Sequence, residues 1–356
     1  MDLVLRAELA VKGLRAAPPV RRRAGAGPSD DGHWRMPGEG CTATLPMAEQ
    51  SPFELAGDGS VTRDGVVVED AMVEPIDRPR FYDLLTEDGV PYEKLARLHA
   101  GDVLATTVVQ TCTRYRSEDS RCRFCTIEES LHAGATTQVK RPEELAEVAE
   151  AAVRLDGARQ MVMTTGTSNG PDRGARHLAR CVEAVLEAVP GLPIQVQIEP
   201  PVDLAWIARL HEAGAQAIGI HVESLDQEVR ERWTPGKATV PLTRYDLAWA
   251  KAVRVFGQNR VSTYLLVGLG EDPDQLVAGA ARLIDMGVYP FVVPYRPLAG
   301  SLAHDVDRAS APTPLHLAEV TGRVAAALKA AGMSGADQGA GCAACGACSL
   351  LPTAGG

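Results

Sequence analysis

The stretch Gln110–Leu131, QTCTRYRSEDSRCRFCTIEESL, decides how the rest of this sequence is read. It sets Cys112, Cys122 and Cys125 in a C-x9-C-x2-C array. Cys122 and Cys125 are near enough in sequence to bind one metal centre, and the nine-residue TRYRSEDSR loop can fold back to add Cys112. A structural zinc ion normally takes four protein ligands, so three thiolates are too few for it. They suit a [4Fe–4S] cluster with one iron open to a small molecule. The array begins where a short apolar, β-rich run, VLATTVV at 103–109, ends.

The same rhythm continues downstream. Further β-rich runs occupy 160–164, 193–198, 217–222, 261–267 and 289–294. Between them the apolar residues recur at helical spacing. Residues 142–156 open on Pro142, carry Glu143 and Glu144 in the first turn and stop at Gly157, which predicts a helix there. Others are predicted at 175–189, 203–214, 242–256 and 274–286. Six strand–helix units imply an α/β fold with a parallel sheet covered by helices. They are too few for a closed eight-unit barrel. The expected architecture is an open partial (β/α)6 barrel over 101–300, with its chemistry at the C-terminal ends of the strands. Residues 1–100 read as an N-terminal appendage, with a hairpin around Val61–Val68 turning at Asp64–Gly65. Residues 301–356 read as a helix at 313–331, capped by Thr313 with Pro314 first inside, and a cysteine-rich tail.

The net charge of −10 argues against a protein held on nucleic acid by bulk charge. No apolar run approaches the roughly 18 residues that would span a membrane. The Arg21–Arg23 cluster follows the first apolar segment, the reverse of a secretory signal, so a cytoplasmic protein is expected. That cluster itself reads as solvated charge. Of the eight cysteines, Cys342, Cys345 and Cys348 form a second triple, C-x2-C-x2-C, among small residues. Gly and Ala let a backbone wrap a cluster closely, so a second [4Fe–4S] site is expected. The alternative is a zinc knot completed by Cys41 or a histidine. Cys181 falls on the apolar face of its helix and reads as a structural thiol.

With its cysteine triple at the end of the first strand, the sequence resembles the radical SAM superfamily in its biotin-synthase-like branch. The usual spacing there is C-x3-C-x2-C, so this chain carries a six-residue insertion. The longer spacing also looks like a subgroup found in nitrilase-associated bacterial gene clusters, and like the elongator-type RNA-modifying branch. The resemblance covers roughly 101–300. It implies that Cys112, Cys122 and Cys125 hold the SAM-binding cluster and that the Phe124 backbone meets adenine. Thr165, Gly166 and Thr167 stand where the family has the segment that receives the SAM amino group, without its acidic residue. His221 and Glu223 stand where two polar side chains hold the ribose. Leu266 and Gly268, in LLVGLGE, match the segment that packs on adenine. Glu199 and Arg296 sit at the ends of the third and sixth strands, where SAM or a substrate carboxylate would be met.

The implied activity is reductive cleavage of S-adenosylmethionine to a 5′-deoxyadenosyl radical, which abstracts hydrogen from a small-molecule substrate. The expected cofactors are a SAM-binding [4Fe–4S] cluster, SAM and a second [4Fe–4S] cluster. The expected partners are the substrate and a reductant such as flavodoxin or ferredoxin, with neither a membrane nor nucleic acid. The competing readings are an elongator-type RNA-modifying enzyme, which the acidic charge opposes, and a non-enzymatic interaction protein with both triples holding zinc.

Overall fold

Strand order settles between the two ways a repeating strand–helix chain can wind. In the computed structural model, which describes residues 1–16, 32–303 and 311–355, one seven-stranded sheet runs through the molecule. Its strands lie side by side in chain order, with no reversal from Arg97–His99 to Val288–Pro294. A doubly wound sheet reverses its order at a switch point; this one does not, so its helices stay on one side and the sheet curls. Among the described residues, Val288–Pro294 pairs with Val261–Val267 alone, which leaves the barrel open along one seam.

Six of the strands are parallel, as expected. The seventh, Arg97–His99, runs antiparallel on Val103–Thr107. It falls inside the expected appendage, so the barrel sheet starts before residue 101. Three residues of mixed polarity are too short to show a strand period, which hid it. The helices fall close to their predicted limits: Pro142–Asp156, Ala175–Ala188, Ala205–Glu212, Leu242–Phe256, Pro273–Asp285 and Pro314–Ala330. Thr313 Oγ1 accepts the His316 N–H, so it caps the last of these. The run at 217–222 is cut short, because the strand ends at Gly219 and Glu223 takes a left-handed φ of 64°. Pairing then resumes at the single Glu223–Leu265 bridge.

Residues before the barrel form the helix Leu3–Lys12 and two three-stranded antiparallel sheets. The predicted hairpin is present: Ser60–Arg63 and Val66–Met72 are joined by Asp64 and Gly65, both at positive φ. Trp34, Phe53, Leu9 and Leu14 give this part its own core. Leu3–Lys12 also packs on Pro314–Ala330. The Arg21–Arg23 run lies outside the described residues. Among the described residues, no helix is long and apolar enough to cross a membrane.

The tail enters the barrel from the end opposite the cysteine loop. Gly341 N–H donates to the side chain of Gln160, the first residue of its strand, and Cys342 N–H to Gln195. Val103, Ala105 and Val162, facing into the barrel, pack against Cys342 and Cys345. Ser349 Oγ then reaches the Val292 carbonyl on the seam strand, and Thr44 N–H donates to the Ala347 carbonyl. Gly341 has a φ of 107°, and a Cβ there would lie 2.1 Å from the Gln195 amide carbon.

Candidate functional site

The cysteine loop leaves the C-terminal end of Val103–Thr107 and is tied down at many points. Thr113 N–H donates to the Thr167 carbonyl, and Cys112 N–H to Glu128. Arg114 crosses to Glu199, with Nη2 2.7 Å from Oε1. Arg121 donates to the carbonyls of Cys125 and Gly300 and stacks over the Tyr115 ring. Arg123 N–H reaches the Trp233 carbonyl. These contacts fold the long insertion back on itself, so Cys112 returns beside Cys122 and Cys125, and both sense its charge.

The three residues are half-buried. Desolvation of the sulfur, then the charges of Cys125, Glu223 and Cys112 working against Lys237, lift the Cys122 thiol well above its ordinary range. Desolvation also pushes Cys125 up to about 11. Cys122 and Cys125, whose ionisation is opposed, form with Cys112 a donor set suited to a cationic centre, whose charge removes that opposition. The residues therefore fit a cluster bound through three cysteines.

Gly166 lies against this loop. Its N–H donates to the Val109 carbonyl, and a Cβ would sit 2.0 Å from the Thr111 oxygen, so only glycine fits between the two backbones. Thr165 Oγ1 turns to the Gly166 carbonyl. Thr167 and Arg114 both donate to Glu199, which is 4% exposed, so this carboxylate is already engaged. It does not cap the next helix, whose Ala205 N–H goes to Asp203.

His221 and Glu223 diverge. The strand they were placed on ends before them, so a period of two no longer holds them on one face. The His221 ring stacks on Tyr264 at 4.1 Å, and its Nδ1 accepts the Tyr264 N–H. Both Glu223 oxygens accept from Lys237 Nζ, at 2.8 and 2.9 Å, and Lys237 also donates to the His221 carbonyl. Lys237 went unread in the sequence, where TPGKA carries no signal beyond a proline-started turn. Phe124 and Leu266 meet in a cluster with Trp233, Leu269 and Tyr295. Gly268, at φ 107°, and Leu269 donate their N–H groups to Glu271, which shapes that loop. The charge of Arg296 reaches the buried Arg6, whose guanidinium is lowered to about 10 by burial and, among its neighbours' charges, by Arg296.

Burial, and then the charge of Lys237, pushes His221 down to about 3. Its imidazole is therefore neutral in the native chain at neutral pH. An unfolded histidine titrates near 6.5, so below that pH the unfolded state takes up a proton that the native state refuses. This stability contribution is intact above pH 6.5 and is lost as pH falls toward about 3. His221→Gln is expected to flatten the acid limb by about 0.7 kcal/mol per pH unit at 6.5, rising toward about 1.4 a unit or more below it. Urea midpoints of parent and variant between pH 7.5 and about 5.5 check this, and parallel profiles would refute it.

Inside the barrel, a cavity of about 330 Å³ is lined by Cys125 at one end and by Cys342 and His99 at the other, with Thr107, Thr164, Gln197 and Tyr264 between. Gln197 Nε2 is 3.1 Å from Cys342 Sγ, and the Tyr264 hydroxyl also bonds that sulfur. The tail triple is joined by His33 and His99, which the sequence reading had not placed. Burial opposes the Cys348 thiolate, but hydrogen bonds from both histidines outweigh it and hold the thiol well below its ordinary value. Cys41 packs instead beside Arg6 and Glu39. Cys181 is fully buried.

Parts of the chain are similar to known proteins. Residues 113–284 match the profile of the Radical SAM superfamily. Bacteriochlorophyllide c C-7(1)-hydroxylase from Chlorobaculum limnaeum is 29% identical over 223 residues, covering 57% of this chain and 54% of that protein. Lipoyl synthase from Thermus thermophilus is 30% identical over 185 residues, covering 50% and 51%. The chain spans about half the length of these curated relatives. Among solved structures, methylornithine synthase aligns at 18% identity with a TM-score of 0.43, covering 57% of this chain and 56% of that one.

Proposed function

The chain carries a radical SAM superfamily domain at residues 113–284, and from that premise we propose an enzyme that uses S-adenosylmethionine to abstract hydrogen from a small molecule. When bound, the cluster and SAM supply the chemistry, a reductive cleavage that yields methionine and a 5′-deoxyadenosyl radical. The observation that carries the reading is the position of Cys125. It belongs to a thiol triple at the C-terminal end of the first parallel strand and also lines the barrel cavity. That cavity, about 330 Å³, suits a small molecule rather than a folded polymer.

In this proposal Cys112, Cys122 and Cys125 hold the cluster, and Phe124, Leu266 and the turn at Gly268 flank the adenosyl group. Thr165, Gly166 and Thr167 position the methionyl end through backbone and hydroxyl groups. Glu199 acts by fixing Arg114 and hence the loop. His221 offers a neutral Nε2 inside the barrel, Glu223 acts through Lys237, and Arg296, at the end of the sixth strand, meets SAM or a substrate carboxylate. The barrel walls hold the reacting carbon in place and keep water away. A flavodoxin- or ferredoxin-type donor supplies the electron, and a second [4Fe–4S] cluster occupies the tail triple. Similarity to lipoyl synthase supports placing the chain in the biotin-synthase-like branch.

Anaerobic reconstitution of the full chain should load about eight irons, four at each triple. Reduction in the presence of SAM should then release 5′-deoxyadenosine. Full iron loading with no 5′-deoxyadenosine would overturn the proposal.

A further inference from the structure

Three cysteines leave one corner of a cubane without a protein ligand. At the upper triple that vacancy is where SAM is expected. The lower triple differs, because two imidazoles lie against it. His33 comes from the strand His33–Met36, and His99 ends the antiparallel edge strand Arg97–His99. Their ring centroids are 4.1 Å apart, edge to face. With Cys348 they offer three ligand atoms within 4.8 Å of one another. His99 Nε2 is 3.7 Å from Cys348 Sγ, and His99 is also in hydrogen-bond contact with Cys345. His33 is in such contact with Cys348. His99 is thus the ring shared by two cysteines of the triple, and it lines the cavity beside Cys342.

We propose that His99 is the fourth protein ligand of the tail centre, beside Cys342, Cys345 and Cys348, with His33 packed against its ring as a positioning residue. This rests on the reading of the tail triple as a four-iron site. Ligated in this way, the lower centre has no open iron, so neither SAM nor substrate binds to it, in contrast to the upper one. The arrangement also gives the antiparallel edge strand a purpose. It turns the chain back just before the first parallel strand and places an imidazole at the seam, where the tail enters.

The tail centre is isolated for testing in the full chain by replacing Cys112, Cys122 and Cys125 together with Ala. After anaerobic reconstitution this protein should bind about four irons. Its reduced cluster should show nitrogen hyperfine coupling from imidazole in pulsed electron paramagnetic resonance. In the same background, His99→Cys should keep the iron, lose the nitrogen coupling and shift the midpoint potential downward, because thiolate in place of imidazole makes the cluster more negative. His99→Ala should also lose the coupling, and His33→Gln should retain it. Nitrogen coupling that survives in the His99 variants and disappears in His33→Gln would overturn the assignment in favour of His33. Four irons with no nitrogen coupling in the parent background would overturn it while leaving the cluster in place. A colourless protein holding zinc would overturn both the assignment and the four-iron reading beneath it.

Discussion

Cys112→Ala is expected to abolish 5′-deoxyadenosine formation, bringing it to the level found without protein. The chain places nine residues between the first two cysteines proposed to hold the cluster, so Cys112 is the proposed ligand that needs the strongest case. The loop contacts make that case. Arg114 is held by Glu199, and Ser120 Oγ donates back to the Arg114 carbonyl at 2.8 Å. Gly236 N–H then donates to the Ser120 carbonyl. A Cβ on Gly236 would lie 2.3 Å from that oxygen, so the loop is seated against its floor. The insertion is consequently a folded lobe, and Cys112 and Cys122 are neighbours at its base. Without Cys112, two thiolates remain, and a four-iron cluster held by two protein ligands loses its single defined open iron. Iron should fall by about half, to the four held by the tail. Cys181→Ala is the control: it removes a buried helical thiol and should leave 5′-deoxyadenosine unchanged. Parent-level product from Cys112→Ala would show that Cys112 is not a ligand.

The sequence carried the barrel because its signals are local. Pro142 and Gly157 mark both ends of one helix, Thr313 and Pro314 the start of another, and the strand runs are short and apolar between them. The upper cysteine triple was legible as a group for the same reason, since Cys112, Cys122 and Cys125 lie within one loop. The lower triple was only half legible. Its cysteines are local, but Cys348 and His99 meet across 249 positions, and nothing near His99 in the sequence points to that contact. Gln160 and Gln195 were readable as polar residues within buried strands, yet their partners, the backbone N–H groups of Gly341 and Cys342, lie on the distant tail. Glu223 shows a different limit. A strand period of two carried through to residue 223 predicts one shared face with His221. The left-handed turn at Glu223, with its carboxylate drawn to Lys237, breaks that period.

Lys237→Met is expected to destabilise the protein by about 3–5 kcal/mol, because it strands a carboxylate that the fold has enclosed. The two side chains are 16% and 11% exposed, with Nζ 2.8 Å from Oε1. Burial works against the Lys237 ammonium, but the Glu223 charge more than offsets it, and its pKa is raised. The pair is therefore ionised at neutral pH, and neither partner can be removed alone without cost. Removing both is different: Lys237→Met with Glu223→Gln replaces the pair by neutral groups of similar size, and such exchanges are often close to neutral. The double variant should recover most of the loss, so the coupling in the cycle should be at least as large as the recovered part, about 2–4 kcal/mol. Acidity supplies a further check. In Lys237→Met the Glu223 carboxyl, already raised by burial, loses its opposing cation and rises further. A carboxyl whose folded pKa is raised gives stability that is present below about 4.5 and is lost as pH rises through the folded value. The deficit should accordingly be widest above neutral pH and shrink toward pH 5. If Glu223 instead holds a ribose directly, Glu223→Gln will weaken SAM binding about 10- to 150-fold while the melting midpoint stays at the parent's value. A structural pair predicts the reverse ordering, with the midpoint falling first and SAM affinity following only as the Cys122 side of the loop loosens.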